Sequence, residues 1–207
     1  LPTPCSTGFD GQPSVRSPLG TRAMVKIQEG CNQVCAYCIV PKVRGRERSV
    51  SLKQMVEAVN QRVSEGYSEI VLTGTQLGSY GFDLPDATLE TLIRTLLSET
   101  DVTRLRISSL QPQEITSNLL KLWEDRRLCP HFHVPLQSGS NAILSRMGRR
   151  YTSEDYIQSV SNILLMLPDA AITTDVLAGF PGESQSDHED SLSLCRSIPF
   201  ASMHGFP

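Results

Sequence analysis

The sequence predicts an α/β chain folded as a partial, TIM-like (β/α)6 barrel, a six-stranded crescent and not a closed ring of eight. Three observations predict it. Six apolar, strand-like runs alternate with segments of helical period, with no antiparallel hairpin signal between them, which is the rhythm of βα repeats in a parallel sheet. The clearest run, Glu69-Ile70-Val71-Leu72-Thr73-Gly74, is continuous in Ile, Val and Leu, which suits a strand buried on both faces. Small and polar residues follow four of the runs, at Thr73–Gln76, Ser108–Pro112, Pro135–Ser140 and Gly179–Glu183. In a barrel of parallel strands all such ends open on one face, where ligands bind. A doubly wound sheet is the alternative, but its first βα turn usually carries a phosphate-binding glycine loop. Here that turn carries cysteines.

Residues 1–22 contain four prolines and three glycines with no period that would bury a face, and read as a linker from a preceding domain that the chain lacks. Ala23 to Gln28 is the first strand. Ser51 is a good N-cap for a helix in which Met55, Val56, Val59 and Val63 fall at helical spacing before the stop at Gly66. After the strand Glu69–Gly74, Thr88 to Ser98 forms a helix with Leu89, Leu92, Ile93, Leu96 and Leu97 on one side, and Arg104 to Ser108 a strand. A helix over Ile115–Glu124 leads to a strand over His131–Pro135. Ser140 to Leu167 reads as two helical pieces split by Gly148, followed by the strand Ala171–Leu177, the helix Ser186–Arg196 and a sixth strand, Phe200–Phe206. Residues 23–207 are therefore one core domain.

With 207 residues, 39% hydrophobic and 20% charged, the chain suffices for one sizeable core. It has no apolar run long enough to cross a bilayer and no signal pattern at its start, so a cytoplasmic location with no membrane partner is expected. The start at Leu1 and the apolar end at Phe206-Pro207 read as an excised core, truncated at its C-terminus. Net charge is −3 with pI near 5.8, which gives no global field for nucleic acid. Locally, Lys42, Arg44, Arg46 and Arg48 alternate after the first turn, and Arg146, Arg149 and Arg150 form a second basic knot suited to phosphates or to a solvated face.

The six cysteines do not form a disulfide framework, because three of them, Cys31, Cys35 and Cys38, share one loop at C-x3-C-x2-C spacing. A structural zinc site wants four ligands, and Cys5, Cys129 and Cys195 supply no nearby pair. A 4Fe-4S cluster held by three thiolates, with one iron left open, matches the set better. An electron carrier, an iron-sulfur sensor and a zinc-dependent nucleic-acid module stay open on these residues alone. Only an enzyme needs glycine and polar groups at four strand ends.

The loop Gly30-Cys31-Asn32-Gln33-Val34-Cys35-Ala36-Tyr37-Cys38-Ile39-Val40-Pro41, with Arg44-Gly45-Arg46-Glu47-Arg48-Ser49 after it, resembles the radical S-adenosylmethionine methylthiotransferases. Leu72–Gly81, His133–Ser140, Met147–Thr152 and Thr174–Glu183 extend the resemblance in order. It implies a barrel of the radical S-adenosylmethionine type, with Cys31, Cys35 and Cys38 binding a 4Fe-4S cluster whose fourth iron is chelated by the cofactor. It implies reductive cleavage to a 5′-deoxyadenosyl radical and insertion of sulfur and a methyl group at a C–H bond. Tyr37 would lie against the adenine, and Gly74 and Thr75 would let the cofactor's amino group approach. Ser109 and Gln137 would hydrogen-bond its ribose or carboxylate, and Arg149 would pair the carboxylate. Leu77-Gly78-Ser79-Tyr80-Gly81 is similar to the branch acting on N6-threonylcarbamoyladenosine beside the tRNA anticodon. The partners so implied are the tRNA anticodon stem-loop, S-adenosylmethionine and a low-potential electron donor, with a second 4Fe-4S cluster in an N-terminal domain. Ribosomal-protein methylthiotransfer and radical methylation are the alternatives within enzymes.

Overall fold

A computed structural model describes residues 21–207. Cys5 and nearly all of the expected linker lie outside the described residues, and Arg22, placed in that linker, belongs instead to the first strand. The strands are β1 (Arg22–Lys26), β2 (Gln28–Glu29), β3 (Arg48–Ser49), β4 (Glu69–Thr73), β5 (Leu105–Ile107), β6 (His131–His133), β7 (Ala171–Leu177) and β8 (Ser202–Phe206). The helices are α1 (Val40–Val43), α2 (Leu52–Ser64), α3 (Leu89–Glu99), α4 (Ser117–Leu120), α5 (Asn141–Arg146), α6 (Ser153–Met166) and α7 (Gln185–Ser197).

Two parallel runs, β1-β4-β5 and β6-β7-β8, carry the six expected strands in chain order. A parallel bridge between Ser109 and His133, with Leu110 N donating to His133 O at 3.0 Å, stitches β5 to β6. The result is the expected crescent, open between β1 and β8, which do not pair among the described residues. Its convex side is the core: Ile70, Leu72, Leu105, Ile107, Phe132, Val134 and Ile172 are buried under the helices. Tyr156 of α6 reaches through this layer, its hydroxyl donating to Val134 O at 2.8 Å and so locking α6 onto β6. The alternate residues, among them Met24, Val71, Arg106, His133 and Asp175, face the concave lumen, because side chains alternate along a strand.

Capping explains why the helices begin where they do. Ser51, Thr88, Thr116, Ser140, Thr152 and Ser184 each accept a backbone N–H of the first turn, worth about 1 kcal/mol apiece. Gly148, at φ +72, separates α5 from α6 as expected.

Two elements differ from the sequence reading. The helix expected over Ile115–Glu124 is α4 followed by a 3-10 turn, Lys121–Glu124, because the Trp123 indole donates to Cys129 O at 2.9 Å and draws the last turn tight. The absence of antiparallel signal held for the main sheet, yet β2 and β3 form a two-residue antiparallel ladder, Gln28 with Ser49 and Glu29 with Arg48. So short a pairing has no sequence period. It closes the base of the cysteine loop.

Candidate functional site

The cysteine loop spans residues 30–48 at the C-terminal mouth of β1, and backbone geometry sets its shape. Gly30 has φ +79, and a Cβ there would meet Arg46 O at 2.1 Å, so only glycine lets the outgoing and returning strands approach. Cys31 N donates to Gly45 O at 3.1 Å, and the Glu47 carboxylate accepts from Asn32 N and Nδ2 at 3.1 and 3.2 Å. From the other side, Ala36 N donates to Met147 O at 2.9 Å, and Gly148 lies against Val34 and Cys35. The Met147-Gly148-Arg149 segment thus buttresses the loop.

Cys31, Cys35 and Cys38 are half-buried free thiols on this loop, and Cys38 N donates to Cys35 O at 3.1 Å in the turn between them. Burial pushes the Cys31 thiol up, and Glu47, Cys35 and Cys38 push it the same way. Gln33 N lies 3.4 Å from Cys31 Sγ and Arg149 Nη1 3.6 Å from Cys35 Sγ, so the sulfurs already have donors suited to thiolates. Among the described residues no three His, Cys, Asp or Glu side chains converge as a single-ion site. Three soft thiol donors on one loop, with Cys129 and Cys195 elsewhere in the chain, suit an iron-sulfur cluster held by three ligands.

The strand ends around the loop are tied together by glutamines. Gln28 Oε1 accepts from Thr75 N and Gln76 N, both at 3.0 Å, while its Nε2 donates to Gly30 O at 2.8 Å. A Cβ on Gly74 would press on Gln28 O and Oε1 at 3.1 Å, so a side chain there would crowd this network. Gln111 donates to Gln33 Oε1 at 3.1 Å and to Gln76 Oε1 at 2.7 Å, linking the end of β5 to the cysteine loop. Glu114 completes the network, accepting from Gln76 and from Gln111 N. Burial pushes its carboxyl up to about 7 despite those two donors. A glutamate, absent from the end of β4 itself, is therefore delivered there by the loop after β5. Sequence spacing carries no sign of it.

The remaining expected site residues divide clearly. Thr75 Oγ1 is buried with no partner among the described residues. Gln137 has φ +66, a left-handed conformation that costs a non-glycine residue on the order of 1 kcal/mol. An isolated bridge to β7 compensates, with Gln137 N donating to Asp175 O and Leu177 N to Gln137 O at 2.8 Å, and the side-chain amide has no hydrogen-bond partner among the described residues. Ser109 is exposed at the β5–β6 bridge. Arg149 stacks over Tyr151 at 5.1 Å and donates to its hydroxyl at 3.0 Å, with Cys35 as its other neighbour. Tyr37 meets the edge of Phe180 at 6.3 Å, bringing the turn after β7 against the loop. Burial pushes the Tyr37 hydroxyl up, and Asp175 is close enough to add to this.

A second polar group on the lumen wall escaped the sequence reading. Asp175 accepts from His133 Nε2 at 3.1 Å on one oxygen and from His204 Nδ1 at 3.2 Å on the other. His133 Nδ1 meets Thr173 Oγ1 at 3.0 Å. The residues stand in register on three neighbouring strands, information that exists only once the strands pair.

Residues 25–195 match the Radical SAM superfamily. The chain belongs to that superfamily. It is 42% identical over 189 residues to the threonylcarbamoyladenosine tRNA methylthiotransferase MtaB of Aquifex aeolicus (strain VF5), covering 91% of this chain and 46% of that protein. It is 40% identical to the tRNA-2-methylthio-N(6)-dimethylallyladenosine synthase of Acetivibrio thermocellus, covering 90% and 39%. The chain thus spans less than half the length of these relatives. Among solved structures, the radical S-adenosylmethionine methyltransferase TsrM of Kitasatospora setae superposes with TM-score 0.71 at 18% identity, covering 90% of this chain and 36% of that one. Coproporphyrinogen III oxidase (HemN) of Escherichia coli, a radical SAM enzyme, gives TM-score 0.62 at 14% identity over 96% of this chain and 48% of its own. Both likenesses confirm the fold. Membership of the superfamily implies a 4Fe-4S cluster and S-adenosylmethionine, and the three loop thiols, the orphaned Thr75 hydroxyl and the unengaged Gln137 amide fit such a pair.

Proposed function

We propose that this chain is the radical core of a tRNA methylthiotransferase acting at C2 of N6-threonylcarbamoyladenosine beside the anticodon. The observation that carries the reading is the three-thiol loop held over the strand ends, where the Thr75 hydroxyl is buried with no partner among the described residues. The names of relatives at about 40% identity support methylthiotransfer.

Cys31, Cys35 and Cys38 would hold the cluster. When bound, the cluster and S-adenosylmethionine supply a 5′-deoxyadenosyl radical able to take hydrogen from an unactivated C–H bond. The protein's part is to position and to shield. Tyr37, whose ring meets Phe180, would lie against the adenine. Gly74 keeps the β4 end bare of side chain, and the Thr75 hydroxyl and backbone receive the methionyl amine. Ser109 and the Gln137 amide hydrogen-bond the ribose or carboxylate. Arg149, whose Nη1 lies 3.6 Å from Cys35 Sγ, would pair the cofactor's carboxylate. Exposed Lys42, Arg44, Arg46 and Arg48, at the loop's return, meet the phosphates of the anticodon stem-loop.

In this reading the complete protein carries a second 4Fe-4S cluster in an N-terminal domain, draws on a low-potential electron donor and works in the cytoplasm. No helix among the described residues is long and apolar enough to cross a membrane. The test is mass spectrometry of nucleosides after incubating the complete, reconstituted protein with S-adenosylmethionine, reductant and tRNA carrying threonylcarbamoyladenosine. A methylthio product on that nucleoside is expected. Product only on dimethylallyladenosine, on ribosomal protein or nowhere would overturn the assignment.

A further inference from the structure

The lumen wall of β6, β7 and β8 carries more polar chemistry than holding the sheet requires. Thr173 and Asp175 of β7 share a face with His131 and His133 of β6 and, through the pairing of Asp175 with His204, with β8. A hydrogen-bonded chain runs along this face: His131 Nε2 to Thr173 Oγ1 at 3.4 Å, Thr173 to His133 at 3.0 Å, His133 to Asp175 at 3.1 Å and Asp175 to His204 at 3.2 Å. Asp175 is the fixed point. With one carboxylate oxygen committed to His133, the other accepts from His204 Nδ1, which sets the tautomer and the plane of that ring as a carboxylate does in any oriented His–Asp pair. The Nε2 of His204 has no partner among the described residues, and the ring stands exposed on the lumen side of β8, in register with Asp175.

We propose that His204, oriented by Asp175, is a positioning residue that hydrogen-bonds the polar N6 substituent of the bound nucleoside. The inference rests on the proposed substrate and sharpens it. A threonylcarbamoyl group carries a carboxylate, a hydroxyl and amide N–H groups, which an imidazole Nε2 pairs with as acceptor or, when protonated, as donor. A dimethylallyl group is pure hydrocarbon. Against it the His131-Thr173-His133-Asp175-His204 wall would lose water contacts and gain nothing, and a site built to hydrogen-bond rejects an analogue that lacks the partner more sharply than an apolar pocket rejects an extra polar group.

The test uses the complete protein with His204→Ala and His204→Gln, read in two ways. Affinity for tRNA bearing threonylcarbamoyladenosine, dimethylallyladenosine or plain adenosine is measured by fluorescence anisotropy, and turnover on the same tRNAs by nucleoside mass spectrometry. 5′-Deoxyadenosine formation without tRNA and iron content serve as controls. His204→Ala is expected to raise KM for the threonylcarbamoyl tRNA about tenfold or more and to leave plain-adenosine tRNA affinity, iron content and uncoupled 5′-deoxyadenosine within about twofold of wild type. His204→Gln, which retains a terminal hydrogen-bonding group, recovers part of the loss. Equal losses on all three tRNAs, no loss at all, or a fall in uncoupled 5′-deoxyadenosine would overturn the inference while leaving the proposed function standing. A wild-type enzyme that ignores threonylcarbamoyladenosine would overturn both.

Discussion

The two ends of the barrel treat their charged groups in opposite ways. At the N-terminal ends of the strands, Glu69 is buried and accepts from Arg22 at 3.0 Å, Arg104 at 3.1 Å and Arg106 at 2.7 Å. Those guanidiniums hold its carboxyl below the usual range, with the Arg106 hydrogen bond the largest cause. At the C-terminal ends, Arg44, Arg46 and Arg48 make no ion pair among the described residues, the Thr75 hydroxyl is buried alone, and three thiols stand free. Buried polar groups in folded proteins are almost always satisfied, and among the described residues the two buried side-chain atoms without a partner are Thr75 Oγ1 at the open end and His131 Nδ1 at the closed one, so the contrast between the ends lies in the unpaired arginines and the free thiols. Charge at the closed end holds the fold. Charge at the open end waits for a partner.

Substitutions can sharpen or break this contrast. Cys35→Ala in the complete protein removes one of three thiolates and is expected to abolish the brown cluster absorbance and 5′-deoxyadenosine formation almost entirely, with the fold intact by circular dichroism. Retained absorbance would mean that the thiols at the open end are not ligands. Neutralising Arg44, Arg46 and Arg48 together is expected to weaken tRNA binding at least tenfold and to flatten its salt dependence by about two to three units of slope, without touching stability. Unchanged binding would make that run a solvated face.

Glu69→Ala tests the opposite end. It leaves Arg106 without its carboxylate and is expected to cost roughly 2 kcal/mol in urea unfolding while the cluster still assembles. Because the folded carboxyl is lowered, the stabilisation is present above the unfolded value of 4.5 and is lost as pH falls through the lower folded value. The variant should lack that acid-side loss. Thr75→Val gives the smallest effect: stability within about 1 kcal/mol of wild type, since a lone buried hydroxyl contributes little, but a severalfold higher KM for S-adenosylmethionine. A large stability loss with unchanged KM would place that hydroxyl with the structural group.

Much of this was legible in the sequence, for reasons that differ between residues. The strand at Glu69–Thr73 announces itself by its continuous Ile-Val-Leu run and that at Ala171–Leu177 by its richness in Ile, Thr and Val, and the caps at Ser51 and Thr152 by local chemistry. Cys31, Cys35 and Cys38 are visible because their spacing is local. What stayed hidden depends on register: Glu114 reaching the end of β4 from the loop after β5, Gln28 fastening Thr75 to Gly30, and Asp175 standing between two histidines from neighbouring strands. Arg149 could be singled out in the sequence as a candidate, but its contact with Cys35, 114 positions away, could not.

The central claim is that the open end is completed by an iron-sulfur cluster and a sulfonium cofactor. Anaerobic reconstitution of the complete protein, followed by iron, sulfide and zinc analysis and by a 5′-deoxyadenosine assay on reduction with S-adenosylmethionine, tests it most directly. Iron and sulfide in equal amounts, lost selectively from the Cys31, Cys35 and Cys38 variants, together with 5′-deoxyadenosine, is the predicted result. Tightly held zinc, no uptake of iron and no 5′-deoxyadenosine would contradict it.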